Sequence, residues 1–238
     1  MSRPGFTLIE ALIGLSLSLL VIVAGLGFYA AAQRVFVRLQ AREEAGQAAL
    51  AAIDKMRIDL LHAGRGLAPE IALGLVAAVE TAEGELRTAA VEKALVLGAG
   101  AAAGDMRLSL LSTADIASGR RILLRQGGAG EVRTVTRVEA GAVIVEAPLE
   151  RAYDLGSASV SLLELVAYYR DGPSRILRRR ANASPAQPVV EGVAAADWSL
   201  DTAAALVRIR LELDTEGPFP YEATVYLKNL ALAGRLGT

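Results

Sequence analysis

The stretch Gly5-Phe6-Thr7-Leu8-Ile9-Glu10, with the apolar run from Ala11 to Ala32 behind it, decides how the rest of the chain is organised. No charged side chain interrupts that run of about 22 residues. At about 1.5 Å rise per residue, a helix over it reaches the roughly 30 Å of a bilayer hydrocarbon core. One carboxylate, Glu10, stands at its N-terminal end. An ionisable group at membrane depth is costly unless it is paired, so Glu10 is a candidate functional residue. A plain anchor, with Glu10 reaching headgroup water, is the simpler alternative.

Composition narrows the remaining choices. The 238 residues leave room for one long helix and one medium-sized domain. A net charge of −1 provides no basic field, so nucleic acid has no support as a main partner. The absence of cysteine excludes disulfides, thiolate catalysis and cysteine-rich metal sites. His62 is the one histidine, so no His–His metal pair can form, and it suits a helix C-terminus. Asp197, Asp201 and Asp214 lack the spacing of a calcium loop, and Gly98, Gly100 and Gly104 are not followed by the Lys-Ser/Thr of a phosphate-binding loop. The chain is therefore expected not to be an enzyme and to use no cofactor, metal or small-molecule substrate. Arg178-Arg179-Arg180 is expected on a solvated edge strand, where charge discourages aggregation, in preference to contacting DNA. Trp198, Tyr168 and Tyr169 are expected to be core or subunit-contact aromatics.

The order of the N-terminal pieces is specific. A short basic leader (Met1-Ser2-Arg3-Pro4) precedes Gly5, then Phe-Thr-Leu-Ile-Glu, then the apolar helix. This resembles the type III signal of type IV prepilins and type II secretion pseudopilins, Gly-Phe-Thr-Leu-x-Glu. The resemblance implies cleavage between Gly5 and Phe6 by a prepilin peptidase and N-methylation of Phe6. Unlike a secretory signal peptide, which is cut after its apolar region, the apolar helix would stay in the mature protein. The resemblance also implies that Glu10 of one subunit meets the freed Phe6 amine of a neighbour in a filament, where either charge alone would pay a desolvation cost. Pairing within the first turn of the same helix is the alternative. Charge counting pulls the other way on orientation. Arg34, Arg38 and Arg42 follow the helix, while the leader holds only Arg3 and the terminal amine, which alone places the C-terminal side in the cytoplasm. Prepilin processing implies the reverse, with the leader in the cytoplasm and the head in the periplasm, and that orientation is expected here. A reverse signal-anchor protein with a cytoplasmic head is the rival that the arginines suggest.

Beyond the apolar run the helix is expected to continue to about His62, about 80 Å in all at 1.5 Å per residue. Phe36, Leu39, Gly46, Leu50, Ile53 and Leu60 trace one apolar stripe, and no proline lies between Phe6 and Gly66. Gly64 and Gly66 are the expected stop, with Pro69 beyond. Gly14, Gly25 and Gly27 suit close packing against neighbouring helices. From about Ile71 short strands are predicted: Ala94–Gly98, Arg107–Leu111, Arg121–Arg125, Glu131–Val138, Ala142–Glu146, Val160–Arg170, Ile176–Arg180, Leu206–Leu213 and Ala223–Leu230. Val132, Thr134, Thr136 and Val138 should share one face, with Arg133, Val135 and Arg137 on the other. A glycine-containing hairpin joins the fourth and fifth strands, while Gly98–Gly104 and Asn182–Pro188 read as loops. The fold expected is α+β and pilin-like: a leader (1–5), a transmembrane or filament-core helix (6–32), an amphipathic helix half (33–66) and a β-rich head (67–238) carrying one antiparallel sheet.

The head carries a second resemblance. Asp59-Leu60-Leu61-His62-Ala63-Gly64, Val166-Ala167-Tyr168-Tyr169-Arg170, Ile176-Leu177-Arg178-Arg179, Pro188-Val189-Val190-Glu191-Gly192-Val193 and Val225-Tyr226-Leu227-Lys228-Asn229-Leu230 occur in that order. They are similar to segments of PilW-type minor pilins, and more loosely to the J-type minor pseudopilin of type II secretion. The resemblance implies a single-pass inner-membrane protein with a periplasmic head. It would assemble with other major and minor pilins into a pilus tip or priming complex. A membrane-anchored periplasmic binding or enzymatic domain is the alternative of another class.

Overall fold

The computed structural model describes residues 7–214 and 220–236 of the chain, with side chains as far as Gly234. Two compact units divide it, the first ending at Gln47 and the second beginning at Ala48. Among the described residues the secondary structure begins with helix α1 (Leu8–His62) and the short helix α2 (Ala68–Ala72). Strands β1 (Val79–Ala82), β2 (Glu85–Leu95), β3 (Arg107–Ser109), β4 (Arg121–Gln126), β5 (Ala129–Glu139) and β6 (Ala142–Val145) follow. Then come β7 (Ser159–Asp171), β8 (Ile176–Ala181), β9 (Gln187–Val190), β10 (Val193–Asp201), β11 (Leu206–Leu213), β12 (Tyr221–Tyr226) and helix α3 (Lys228–Leu236). The class is α+β.

In the first unit α1 buries nothing: every residue from Thr7 to Glu44 is exposed. In the second unit the same helix lays Ala49, Ala52, Ile53, Met56 and Leu60 into the core. The spacing of three, four and seven is that of one helical stripe. Ile53 and Leu60 were expected there, but Leu50 is exposed, as are Phe36 and Leu39. The small Ala49 and Ala52 occupy the buried face instead. The helix stops where Gly64 and Gly66 take left-handed φ angles of +74°, and Pro69 sits in the first turn of α2.

Among the described residues the expected single sheet is two. Nine strands form one antiparallel sheet in the order β1-β2-β7-β4-β5-β6-β3, with β8 and β9 branching from β7, and β10-β11-β12 form another. The 13-residue β7 is the hub. One of its sides pairs with β2 from Leu95↔Val160 to Glu85↔Tyr169. Its other side pairs first with β4 and then, from Val166 onward, with β8. Consecutive residues of these central strands serve opposite cores. Ile122, Leu124 and Leu162 join a cluster with Leu108, Val143 and Tyr153, whereas Leu123 and Leu163 face Leu67 and Ala89. A third cluster unites the C-terminal part of α1 with Val166 and Tyr168 of β7 and with Val207, Ile209 and Leu211 of the small sheet.

Several boundaries differ from the sequence expectation. Strand β2 runs far upstream of the predicted Ala94 because pairing with β7 overrides the helix-favouring Ala, Glu and Lys of its sequence. Strand β9 lies inside the predicted Asn182–Pro188 loop and beyond it; Pro188 is tolerated because this strand has one neighbour only. The predicted last strand ends at Tyr226, and Lys228 starts α3. Gly98–Gly104 is no loose loop, since Ala101 is buried and bridges Tyr153. The alternation proposed for β5 also fails midway. A bulge between Val135 and Arg137 turns Val138 toward the core that holds Val135. The β5–β6 hairpin is as expected, closing at Gly141 with φ +72°.

Candidate assembly surface

Gly5 and Phe6, the predicted cleavage and methylation positions, lie outside the described residues. Glu10 is exposed in the first turn of α1 and is engaged locally. Its Oε2 accepts hydrogen bonds from the Thr7 amide at 3.0 Å and the Thr7 hydroxyl at 2.9 Å, while the Glu10 amide donates to Thr7 Oγ1 at 3.3 Å. This is a capping box, in which two otherwise unpaired donors of the first turn are satisfied reciprocally. The Thr-x-x-Glu spacing is its sequence signature; the first-turn pairing weighed for Glu10 has the Phe6 amine as its partner and leaves Thr7 out.

The apolar surface that follows is continuous. Leu12, Ile13, Leu19, Ile22, Leu26 and Phe28 are each more than half exposed, and the mean hydropathy of the richest 18-residue window is 2.4. By length and composition this segment is long and apolar enough to cross a membrane. Its two serines are satisfied within the helix, Ser16 donating to the Leu12 carbonyl and Ser18 to that of Gly14, both at 2.8 Å. A Cβ added at Gly14, Gly25 or Gly27 would meet nothing within 4 Å, so these glycines are notches open to the outside.

In the second unit, the segments that carry the minor-pilin resemblance converge on the end of α1. Asp59 Oδ2 accepts from the Tyr168 hydroxyl at 2.6 Å and from Arg179 Nε at 2.7 Å, and its Oδ1 accepts from Arg179 Nη2 at 3.2 Å. Asn229 Nδ2 donates to the Ala63 carbonyl at 2.8 Å, capping the helix C-terminus from α3. Val190 and Val193 belong to the same core as Met56 and Leu60. Burial, and then the hydrogen bond to Asp59, push the Tyr168 hydroxyl well above its ordinary range. Each arginine of the cluster has a partner within the second unit. Arg178 pairs with Asp171, Arg179 with Asp59, and Arg180 stacks over Tyr169 at 5.9 Å. The strand carrying it is not the expected edge, because β9 covers it. His62 is exposed at the last position of α1, and Trp198 packs against the core of the second unit.

A buried carboxylate, Glu131, sits on β5 of the large sheet. Glu131 accepts from the Tyr153 hydroxyl at 2.9 Å and from the Glu150 amide at 3.1 Å, and it pairs with Arg133. A groove of about 820 Å³ is lined by residues that include Leu163, Leu165, Arg87, Arg121, Arg180 and Glu80. It contains no histidine, and among the described residues no three potential metal ligands converge.

No family model matches the chain, and no curated protein does. Three solved structures share partial similarity. One is the tailspike gp61 of Pseudomonas phage phi297, at 18% identity over 29% of this chain and 14% of that one, with a TM-score of 0.28. Another is the tailspike Gp54 of Acinetobacter baumannii bacteriophage AP22 in complex with a capsular saccharide, at 11% identity over 32% and 15%, with a TM-score of 0.28. The third is the tailspike gp49 of Pseudomonas phage LKA1, at 21% identity over 31% and 15%, with a TM-score of 0.26. The chain thus spans about one seventh of the length of these proteins. Likeness of this extent assigns neither fold nor function.

Proposed function

We propose that this chain is a minor type IV pilin-like prepilin of the PilW kind. In this reading a prepilin peptidase cuts between Gly5 and Phe6 and methylates the new Phe6 amine. The apolar part of α1 holds the subunit in the inner membrane with its head in the periplasm, and later packs against other major and minor pilins in a tip or priming complex. The role is structural, without enzymatic activity, cofactor or small-molecule substrate. The observation that carries the reading is α1 itself. Directly after the Gly5-Phe6 junction, the helix exposes an apolar surface without a charge from Ala11 to Ala32. Such a surface needs lipid or other helices around it. The convergence of the PilW-like segments around Asp59 and Ala63 adds support.

In a filament, the Glu10 carboxylate turns to the Phe6 amine of a neighbouring subunit, a contact charged on both sides, whereas in its bonds with Thr7 only the acceptor is charged. A minor pseudopilin of a type II secretion system would use the same features in another machine, and neighbouring genes would separate the two. A membrane-anchored binding domain is the reading favoured by the groove that Leu163 and Leu165 line. The test of the proposal is the intact mass of the protein taken from membranes with and without prepilin peptidase. A chain starting at Phe6 and carrying one added methyl group is expected. An uncleaved chain in cells with active peptidase would overturn the reading.

A further inference from the structure

Arg34, Arg38 and Arg42 are left unexplained by assembly through the apolar surface. They recur every four residues, so at about 100° per residue they lie within about 80° of one another on one helix face. All three are exposed, and none has a carboxylate within salt-bridge distance among the described residues. Arg34 Nε donates back to the Ala30 carbonyl at 3.2 Å, leaving its two terminal amino groups free to reach outward. The nearest acidic side chains, Glu43 and Glu44, fall more than about 100° from the centre of the stripe by the same helical geometry. The cations are thus segregated from the anions of their own helix.

Their depth is the second observation. Glu10 and Arg34 are 24 residues apart in α1, which at 1.5 Å per residue is about 36 Å. A hydrocarbon core is about 30 Å thick, and about 40–45 Å with its headgroup layers. A helix that places Glu10 among the headgroups of one leaflet places Arg34 among those of the other. Arg38 then lies at the outer edge of that layer. Arg42 lies a further turn out, within a Debye length of about 8 Å. Tyr29, about 7.5 Å nearer the bilayer centre, has the position of an interfacial aromatic anchor.

We propose that Arg34, Arg38 and Arg42 form a binding stripe for anionic phospholipid headgroups in the leaflet remote from Glu10. The inference rests on the reading of α1 as membrane-spanning. Guanidinium groups recognise phosphate oxygens through paired N–H donors, and the three together fix how deeply the helix sits. The arginines then act as a depth anchor on the head side, where a charge-counting rule mistakes them for an orientation signal.

The test uses the full chain in nanodiscs made from equal parts of phosphatidylcholine and phosphatidylglycerol. The lipids it retains on release are identified by native mass spectrometry. One basic residue near an anionic surface strengthens association roughly fivefold, so retained lipid should favour phosphatidylglycerol by at least about that factor. The triple variant Arg34→Gln, Arg38→Gln, Arg42→Gln should fall back to the input ratio while remaining membrane-bound. Inorganic phosphate in large excess should displace nothing. A wild-type chain that resists carbonate extraction yet shows no preference overturns the inference and leaves the membrane reading standing. Equal preference in the triple variant, or displacement by free phosphate, also overturns it. Loss of a co-purifying protein in the variant with an unchanged lipid ratio assigns the stripe to a subunit contact instead. Release of the wild type by carbonate removes the membrane reading and this inference with it.

Discussion

Replacing Asp59 by alanine tests the clamp that fastens the C-terminal part of α1 to β7 and β8. The substitution removes the acceptor of three hydrogen bonds. It strands the Tyr168 hydroxyl, whose residue is fully buried, and the Arg179 guanidinium, whose side chain is 17% exposed. Removing one partner of a buried ion pair costs roughly 3–5 kcal/mol. Water can reach part of Arg179, so the lower figure applies, about 3 kcal/mol. Tyr168→Phe deletes one hydrogen bond to a charged acceptor but leaves Asp59 held by Arg179, which should cost about 1.5 kcal/mol. The assay is urea unfolding of the full chain in detergent, followed by the fluorescence of Trp198. It is the one tryptophan, and it packs against the same core. With a denaturant slope of roughly 2 kcal/mol per molar for a head of this size, the midpoint should fall by about 1.5 M in Asp59→Ala and about 0.7 M in Tyr168→Phe. A shift below about 0.3 M in Asp59→Ala, or equal damage from both variants, would refute the assigned roles.

Alkali should loosen the same region. Burial first, and hydrogen bonds to carboxylates second, raise the hydroxyl groups of Tyr168 and Tyr153 above their ordinary value of about 10. A raised folded-state value means that folding holds the proton more tightly. That stability is complete below about pH 10 and is lost above it, by at most about 1.4 kcal/mol per pH unit for each tyrosine. The unfolding midpoint should decline less steeply above that pH in Tyr168→Phe than in the wild type, and identical slopes would count against the argument. At the other end of the chain, Glu10→Ala should leave peptidase cleavage intact while loosening the first turn of α1 through loss of the capping box. It should also reduce incorporation into filaments, and normal incorporation measured by immunoblot of sheared pili would sink the assembly role of Glu10.

What could be read in advance followed the strength of local signals. The helix end was legible because Gly64 and Gly66 do what only glycine does cheaply, adopting φ +74°. The β5–β6 hairpin was legible for a similar reason at Gly141. Strands β2 and β10 were not, because their alanines and acidic residues carry no β preference; partners distant in sequence impose the extended form. The second sheet was missed with β10, since without it β11 and β12 had no reason to separate from the rest. Around α1 the carboxylate at position 10 was noticed, but its local partner Thr7 was overlooked. The Asp59 clamp could not be read at all, because its members lie on three separate elements and nothing in a single sequence marks which arginine of Arg178-Arg179-Arg180 reaches it.

The separations within that clamp set an order of events for a chain that emerges from its N-terminus. Asp59 waits for Tyr168, 109 residues later, and for Arg179, 120 residues later. Strand β2 likewise lacks its long partner until β7 has arrived. Until then α1 offers its apolar stripe and β2 an open row of amide and carbonyl groups, the conditions under which nascent chains aggregate or are degraded. Distant pairings of this kind also fold slowly. A protein built around a late-arriving central strand completes its second unit only after most of its length has been delivered, so the timing of quality control is written into the position of β7.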